Sequence, residues 1–237
     1  MNELNPNHLV TKSNELISAS YKLSLLEQKI ILAIASMIKP DDKEFKTYKI
    51  KIKDFMELLG LNTRTGRYNE LQQITMGLMK NAFEIKLPSG PLQLSWFASV
   101  QYYEGKGIVE IELSNKLRPY LLELKKKFTS YQLKNVLLLR SNYSIRLYEC
   151  LKQYEKIGER TFNITQLREI LGIEEDKYTL YGHLKSKIIL KAQSELKELC
   201  DLYFEFEEIK EGRKVVKIKF KIIPQKMKYK EIVESEE

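Results

Sequence analysis

Apolar positions change their spacing several times along the chain, and each change marks a predicted element. Between residues 23 and 37, Leu26, Ile30, Ala33, Ile34 and Met37 recur at steps of three and four, the period of a helix with one apolar face. Ser24 stands three residues ahead of Glu27, which is capping-box spacing, and Pro40-Asp41-Asp42 ends the run. Over 48–52 the period falls to two, with Tyr48, Ile50 and Ile52 alternating against lysines, as in a strand. A short helix over 54–59 closes at Gly60. A polar turn follows, then a longer helix with Leu71, Ile74, Leu78 and Met79 inward. Strands are predicted over 83–87, 94–102 and 108–113, with turns at Pro88-Ser89-Gly90-Pro91 and Glu104-Gly105-Lys106-Gly107.

The second half repeats the first. A helix over 144–157 precedes a strand over 161–164, a short helix over 165–171 that closes at Gly172, and the polar turn Glu174-Glu175-Asp176-Lys177. A long helix over 180–199 and a hairpin of 203–208 with 214–222 around Gly212 complete it. Sliding one half over the other by 112 residues (164 minus 52) matches Ile52 with Ile164, Phe55 with Leu167, Leu58 with Ile170, Leu59 with Leu171 and Gly60 with Gly172. Leu71 then meets Leu184 after one inserted residue. This period is far longer than a solenoid repeat, so it implies two copies of one domain. The seam is expected between Lys125 and Ser130, bridged by a helix starting near Lys116, giving domains 1–125 and 126–237. Helix, strand, short helix, turn, long helix, hairpin is the order of a winged helix. The expected class is α+β, two tandem winged-helix domains related by internal duplication.

Charge adds a partner class. Lys and Arg number 40 against 32 Asp and Glu, a net +8, which favours a polyanion and nucleic acid first. The same sequence removes alternatives. Two cysteines, Cys150 and Cys200, and two histidines, His8 and His183, cannot build a zinc set, a disulfide framework or a His-hydrophobe-His metal site. There is no Gly-x-x-x-x-Gly-Lys-Ser/Thr phosphate loop. The longest apolar run, 30–35, is a third of a membrane span, and 1–14 lacks a signal-peptide pattern, so no membrane and a cytoplasmic location are expected. No carboxylate pair sits beside a base, so no catalytic residue, metal or cofactor is expected.

The long helix of the second domain offers a face to test. Leu184, Ile188, Ala192, Glu195, Leu196 and Leu199 gather on one side of a 100° wheel. The other side carries His183, Ser186, Lys187, Leu190 and Gln193, with Thr179 and Tyr181 near the start and Lys185 and Lys191 flanking. Such a face suits phosphates and base edges, and it equally suits plain solvation. In the last hairpin, Lys217, Lys219 and Lys221 could reach a phosphate backbone. With a turn centred on Glu211, Glu205 would instead lie opposite Lys217 and the lysines would pair across the strands. In the first domain Arg64, Thr65, Arg67 and Tyr68 open the corresponding helix and Gln72 follows, a set that fits phosphate and base contacts or a capped polar loop.

Four stretches resemble the theta-type replication initiators of iteron-containing plasmids. They are Val10-Thr11-Lys12-Ser13-Asn14-Glu15-Leu16-Ile17 with Ala19 and Tyr21, running on into Leu25-Leu26-Glu27-Gln28-Lys29; Phe128-Thr129-Ser130-Tyr131-Gln132-Leu133; Tyr143-Ser144-Ile145-Arg146-Leu147-Tyr148-Glu149; and Leu184-Lys185-Ser186-Lys187-Ile188-Ile189 with Ala192, Glu195 and Leu196. The resemblance spans roughly residues 8–223. It implies a protein that binds directly repeated double-stranded origin DNA, helps open an adjacent AT-rich duplex, and recruits the host initiator ATPase and replicative helicase. It also implies a monomer–dimer equilibrium, with the second domain as main reader and the first supplying a dimer surface and secondary DNA contacts. Lys185, Ser186 and Lys187 are then the best contacts. The family often has Arg where Lys185 and Lys187 stand, and Lys cannot make Arg's planar fork, which shifts base readout toward Thr179, Ser186, Gln193 or DNA shape. The tail 226–237 lies beyond the resemblance and is expected to fray. Two rival readings remain: a winged-helix repressor without initiator activity, and an enzyme such as a nickase or primase.

Overall fold

The computed structural model describes residues 2–61, 68–103, 105–122 and 124–226, and the chain divides into two units. The first comprises Met1–Ala19 and Leu23–Leu133, the second Ser20–Lys22 and Lys134–Glu237. In chain order the first unit holds β1 (Leu9–Ser13), α1 (Asn14–Ser18), α2 (Leu25–Ala35), β2 (Tyr48–Lys51), α3 (Ile52–Leu58), α4 (Tyr68–Lys80), β3 (Phe83–Leu87), β4 (Gly90–Leu94), β5 (Phe97–Tyr103) and β6 (Ile108–Leu113). A 3-10 turn (Asn115–Leu117), α5 (Arg118–Leu121) and β7 (Phe128–Gln132) follow. The second unit holds α6 (Lys134–Leu137), α7 (Asn142–Lys152), β8 (Glu159–Asn163), α8 (Ile164–Ile170) and α9 (Tyr181–Leu184). A π-helical turn (Lys185–Ile189) leads from α9 into α10 (Leu190–Leu199), then β9 (Leu202–Glu211) and β10 (Lys214–Pro224).

The duplication is visible in the backbone. α3 and α8 are seven residues each and begin at Ile52 and Ile164. Each ends in a left-handed glycine, Gly60 at φ +70° and Gly172 at φ +64°. Beyond each glycine the chain turns back with the same bond, Leu61 N–H to Met56 O at 2.8 Å and Ile173 N–H to Arg168 O at 3.0 Å. These are the 6→1 bonds of a Schellman end, which needs a residue free of the Cβ penalty at positive φ. Each unit then closes a three-stranded antiparallel sheet in the same order, β2-β6-β5 and β8-β10-β9. Period-two alternation places Ile50, Val109 and Ile111 in the first core and Phe162, Ile218 and Phe220 in the second. Phe220 meets Phe162 and Phe204 edge-on, with ring centroids 5.9 and 5.1 Å apart.

Several expectations are corrected. The capping box of α2 forms, with Ser24 Oγ accepting from Glu27 N–H and Glu27 Oε2 accepting from Ser24 N–H at 2.7 Å. The helix, however, is buried around its whole circumference from Glu27 to Ala35, rather than on one face. The strand expected over 94–102 is two strands. The Trp96 side chain turns inward to stack on Phe83 at 4.4 Å, so β4 stays with β3 while β5 joins the main sheet. β1 and β7 were not foreseen. They pair antiparallel from Leu9 opposite Gln132 to Ser13 opposite Phe128. That ribbon holds 126–133 in the first unit, so the division falls at Leu133/Lys134 and not at 125/126. The helix expected near Lys116 is a 3-10 turn and one turn of α5 within the first unit.

The segment Ser20–Lys22 belongs to the second unit for a physical reason. The Arg146 guanidinium, fully buried, lies 3.9 Å from the Tyr21 ring centroid and donates to the Tyr21 hydroxyl. It also donates to Ile170 O at 2.8 Å and pairs with Glu149 at 3.3 Å. Desolvation opposes its charge, and the neighbouring Tyr21 and Glu149 outweigh it and hold the guanidinium above its ordinary value. Tyr21 O packs so close to Gly172 that a Cβ there would lie 2.4 Å from it.

Candidate nucleic-acid interface

The turn before the long helix of the second unit is organised by one side chain. Arg168, on α8, donates to Tyr178 O at 2.7 Å, Lys177 O at 2.7 Å and Glu174 O at 3.0 Å. The bonds leave from both terminal nitrogens, Nη1 to Tyr178 and Nη2 to Glu174 and Lys177, a spread that the guanidinium fork spans and the single nitrogen of an ammonium does not. The turn carries Tyr178 at φ +50°, a left-handed position uncommon for a non-glycine residue. Its carboxylate Glu174 accepts from Lys177 at 2.5 Å and from Lys22, and these two ammonium groups hold it down at about 2.

The helix that follows sorts its residues cleanly. Leu184, Ile188, Ile189, Ala192, Leu196 and Leu199 are buried. His183, Ser186, Lys187, Leu190, Lys191 and Ser194 are exposed at helical spacing, forming one continuous outward stripe. Leu190 N–H bonds to Lys185 O, the i→i+5 closure of the π turn, which inserts one residue into the helix.

The residues singled out from sequence therefore separate into three groups. Thr179, His183, Ser186, Lys187 and Lys191 face solvent, with Lys191 Nζ 4.0 Å from Glu195. Tyr181, Lys185 and Gln193 instead fasten the helix to β9. The Tyr181 hydroxyl and Lys185 Nζ both donate to Glu208 Oε1, at 2.9 and 2.7 Å, and Gln193 Nε2 donates to Phe204 O at 2.8 Å. Lys185 foremost, then Tyr181, holds Glu208 below the usual carboxylate range, while burial and then Glu208 push the Tyr181 phenol up. In the first unit Gln72 is exposed on α4 beside Gln73, and Tyr68 opens that helix. Arg64, Thr65 and Arg67 lie outside the described residues, as does 227–237 of the tail.

The hairpin of the second unit turns at Gly212-Arg213, beyond a turn centred on Glu211, with Glu211 opposite Lys214. A bulge between Val215 and Lys217 shifts the register further, so Lys217 faces Ile209, Lys219 faces Glu207 and Lys221 faces Glu205. Lys219 Nζ also pairs with Glu159 of β8 at 2.8 Å, whereas Lys217 and Lys221 are exposed. Arg213 and Lys214 at the tip border a groove of 560 Å³ that also touches Thr165, Thr179, Leu180 and Tyr181. These two basic residues, and Arg168, were not singled out from sequence. The signal for the tip was the adjacency of Arg213 and Lys214 to Gly212. Arg168 had none, because its partners are backbone carbonyls.

Among the described residues no group of His, Cys, Asp or Glu could hold a metal ion, both cysteines are buried, and no helix is long and apolar enough to cross a membrane. Residues 9–152 match the family described as Initiator Replication protein, WH1, and residues 163–222 match Initiator Rep protein, WH2. This chain belongs to the replication initiator protein family. The initiator is 25% identical over 213 residues to an uncharacterized 27.6 kDa protein of Escherichia coli, covering 84% of this chain and 89% of that one. It is 29% identical over 179 residues to a replication initiation protein of Escherichia coli, covering 73% of this chain and 54% of the relative, about half its length. Its fold matches that of the Pi initiator protein, solved in complex with iteron DNA, at a TM-score of 0.74 and 23% identity over 94% of this chain and 99% of that one. The tandem winged-helix architecture read from the internal repeat is thus the architecture of the family.

Proposed function

We propose that this chain initiates plasmid replication by binding directly repeated duplex DNA at an origin, with the second winged helix as main reader. One observation carries the reading beyond family membership: a helix whose outward stripe is hydroxylated and cationic is fastened, through Glu208, to a hairpin with a basic tip. A helix of this kind fits a major groove about 12 Å wide, and basic residues at a wing tip fit the flanking phosphates. Base contacts fall to Thr179, His183, Ser186 and the apolar Leu190. Lys187, Lys191, Arg213 and Lys214 supply phosphate contacts. Tyr181, Lys185 and Gln193 act by holding the reader in place. The first unit contributes secondary contacts through α4, Gln72 among them.

The same reading extends to partners and place. The initiator acts in the cytoplasm without a catalytic step, recruits the host initiator ATPase and the replicative helicase, and exchanges between monomer and dimer. Family membership favours this over a plain repressor. The experiment places the gene beside its native upstream repeats on a plasmid that lacks another origin. Replication in a suitable host is the expected result. Intact operator binding without replication would establish the repressor instead. Nicking or primer synthesis on supercoiled origin DNA with Mg²⁺ would refute the non-catalytic part.

A further inference from the structure

The two long helices can be aligned residue by residue through their buried faces. Leu71, Thr75 and Leu78 are buried on α4, and Leu184, Ile188 and Ala192 in the second unit. The first two pairs differ by 113 residues (184 minus 71, 188 minus 75), the third by 114 (192 minus 78). The π turn supplies the added residue. Past it, Met76 of α4 corresponds to Leu190 (190 minus 76 is again 114).

Both are large apolar side chains, and both are exposed, Met76 at 51% and Leu190 at 42%. Neither completes a core, since the buried faces beneath them are already filled. Their helical neighbours are polar and outward in both copies: Gln72, Gln73 and Lys80 around Met76, Ser186, Lys187 and Ser194 around Leu190. One exposed apolar side chain on a helix calls for no explanation. The same one at the same place on both copies does. A protein-docking helix would repeat its apolar anchors at i+3, i+4 and i+7; Leu190 has Gln193, Ser194 and Lys197 at those steps, and Met76 has the half-buried Met79, then Lys80 and the buried Phe83. A single apolar tip among hydrogen-bonding and cationic neighbours matches one feature of a major groove, the 5-methyl group of thymine.

We propose that Leu190 and Met76 are specificity-determining residues, each seated against a thymine methyl group in the groove its own helix enters. This rests on the origin-binding function proposed above. The π turn gives Leu190 its part: it accommodates Ile189 in the core while the next residue faces out, so the second helix keeps the apolar tip that α4 carries without a bulge.

The test uses the full chain and a duplex enriched by it from a random-sequence library. Thymines in that duplex are replaced one at a time by deoxyuridine, which removes only the methyl group. The wild-type protein should lose about fourfold in affinity at two or more positions, the equivalent of about 0.8 kcal/mol for each buried methyl-sized group. Leu190→Ala should abolish the loss at one position, Met76→Ala at another, and Leu190→Met should restore it. Uniform indifference to deoxyuridine overturns the inference and leaves the proposed function standing, as does a penalty that persists in both alanine variants. A library that yields no enriched duplex overturns both.

Discussion

Gly60 and Gly172 occupy equivalent places after α3 and α8, so the pair is a built-in controlled experiment. Both sit at positive φ, where an alanine pays for its Cβ by about 1 kcal/mol. Around Gly60 an added Cβ meets nothing within 4 Å. At Gly172 it would lie 2.4 Å from Tyr21 O and 3.0 Å from Tyr21 C, which are backbone atoms and cannot rotate aside. Relief requires Ser20–Lys22 to move outward by about an ångström, the gap to ordinary van der Waals contact. That segment is held by the Tyr21 ring on buried Arg146 and by Lys22 on Glu174. Gly172→Ala should therefore cost about 1–3 kcal/mol more than Gly60→Ala, the usual range for overpacking a filled site. Trp96 is the single tryptophan and lies in the first unit, so urea unfolding followed by its fluorescence reports that unit. Hydrogen exchange at the β8–β10 amides reports the second. The expected pattern is a modest shift of the fluorescence midpoint for Gly60→Ala and a larger loss of β8–β10 protection for Gly172→Ala. Equal costs within about 0.5 kcal/mol, the scatter between independent sites, would refute the claim that Ser20–Lys22 is packed against the α8 end.

Other substitutions probe the interface and its supports. Lys187→Glu should weaken DNA binding by about 1–3 kcal/mol in a filter or anisotropy assay while leaving the melting temperature unchanged, because Lys187 is exposed. Lys187→Ala should reduce the slope of log affinity against log salt by about 1. Arg168→Lys keeps the charge but loses the fork to three carbonyls, so DNA affinity and protection of the 174–178 amides should fall together; unchanged exchange there would show that the turn holds itself. Glu174 titrates at about 2 in the folded chain, below its ordinary 4.5. Its contribution is therefore complete above the ordinary carboxylate range and disappears as pH falls toward 2. Glu174→Gln should flatten the pH dependence of stability in that window.

Much of this architecture was legible because the core obeys simple periods. The α3 and α8 matches hold at an offset of 112 residues because Phe55 with Leu167 and Leu59 with Leu171 are buried alike and both helices end on the same left-handed glycine. The inward and outward faces of the long helix also follow from spacing, since Leu184, Ile188, Ala192 and Leu196 stay on one side despite the π turn. What eluded the sequence depends on partners distant in the chain. β1 and β7 are short and of mixed polarity, and their strand character comes from pairing across about 120 residues. The register of the last hairpin was missed because the turn centre and a bulge together move every cross-strand partner of the lysines. Tyr181, Lys185 and Gln193 read as a potential contact surface, yet a residue type cannot disclose that its hydrogen bonds are already spent on β9.

That last detail has a practical consequence. Because a single carboxylate, Glu208, receives both Tyr181 and Lys185, helix and hairpin should tilt together as one rigid tool head rather than adjust independently to each target. Under the proposed origin-binding function, retargeting the protein to a different repeat can then leave this clamp alone and confine changes to the exposed residues at positions 183, 186, 187 and 190. Loosening the clamp, by contrast, should blunt discrimination among all repeats at once.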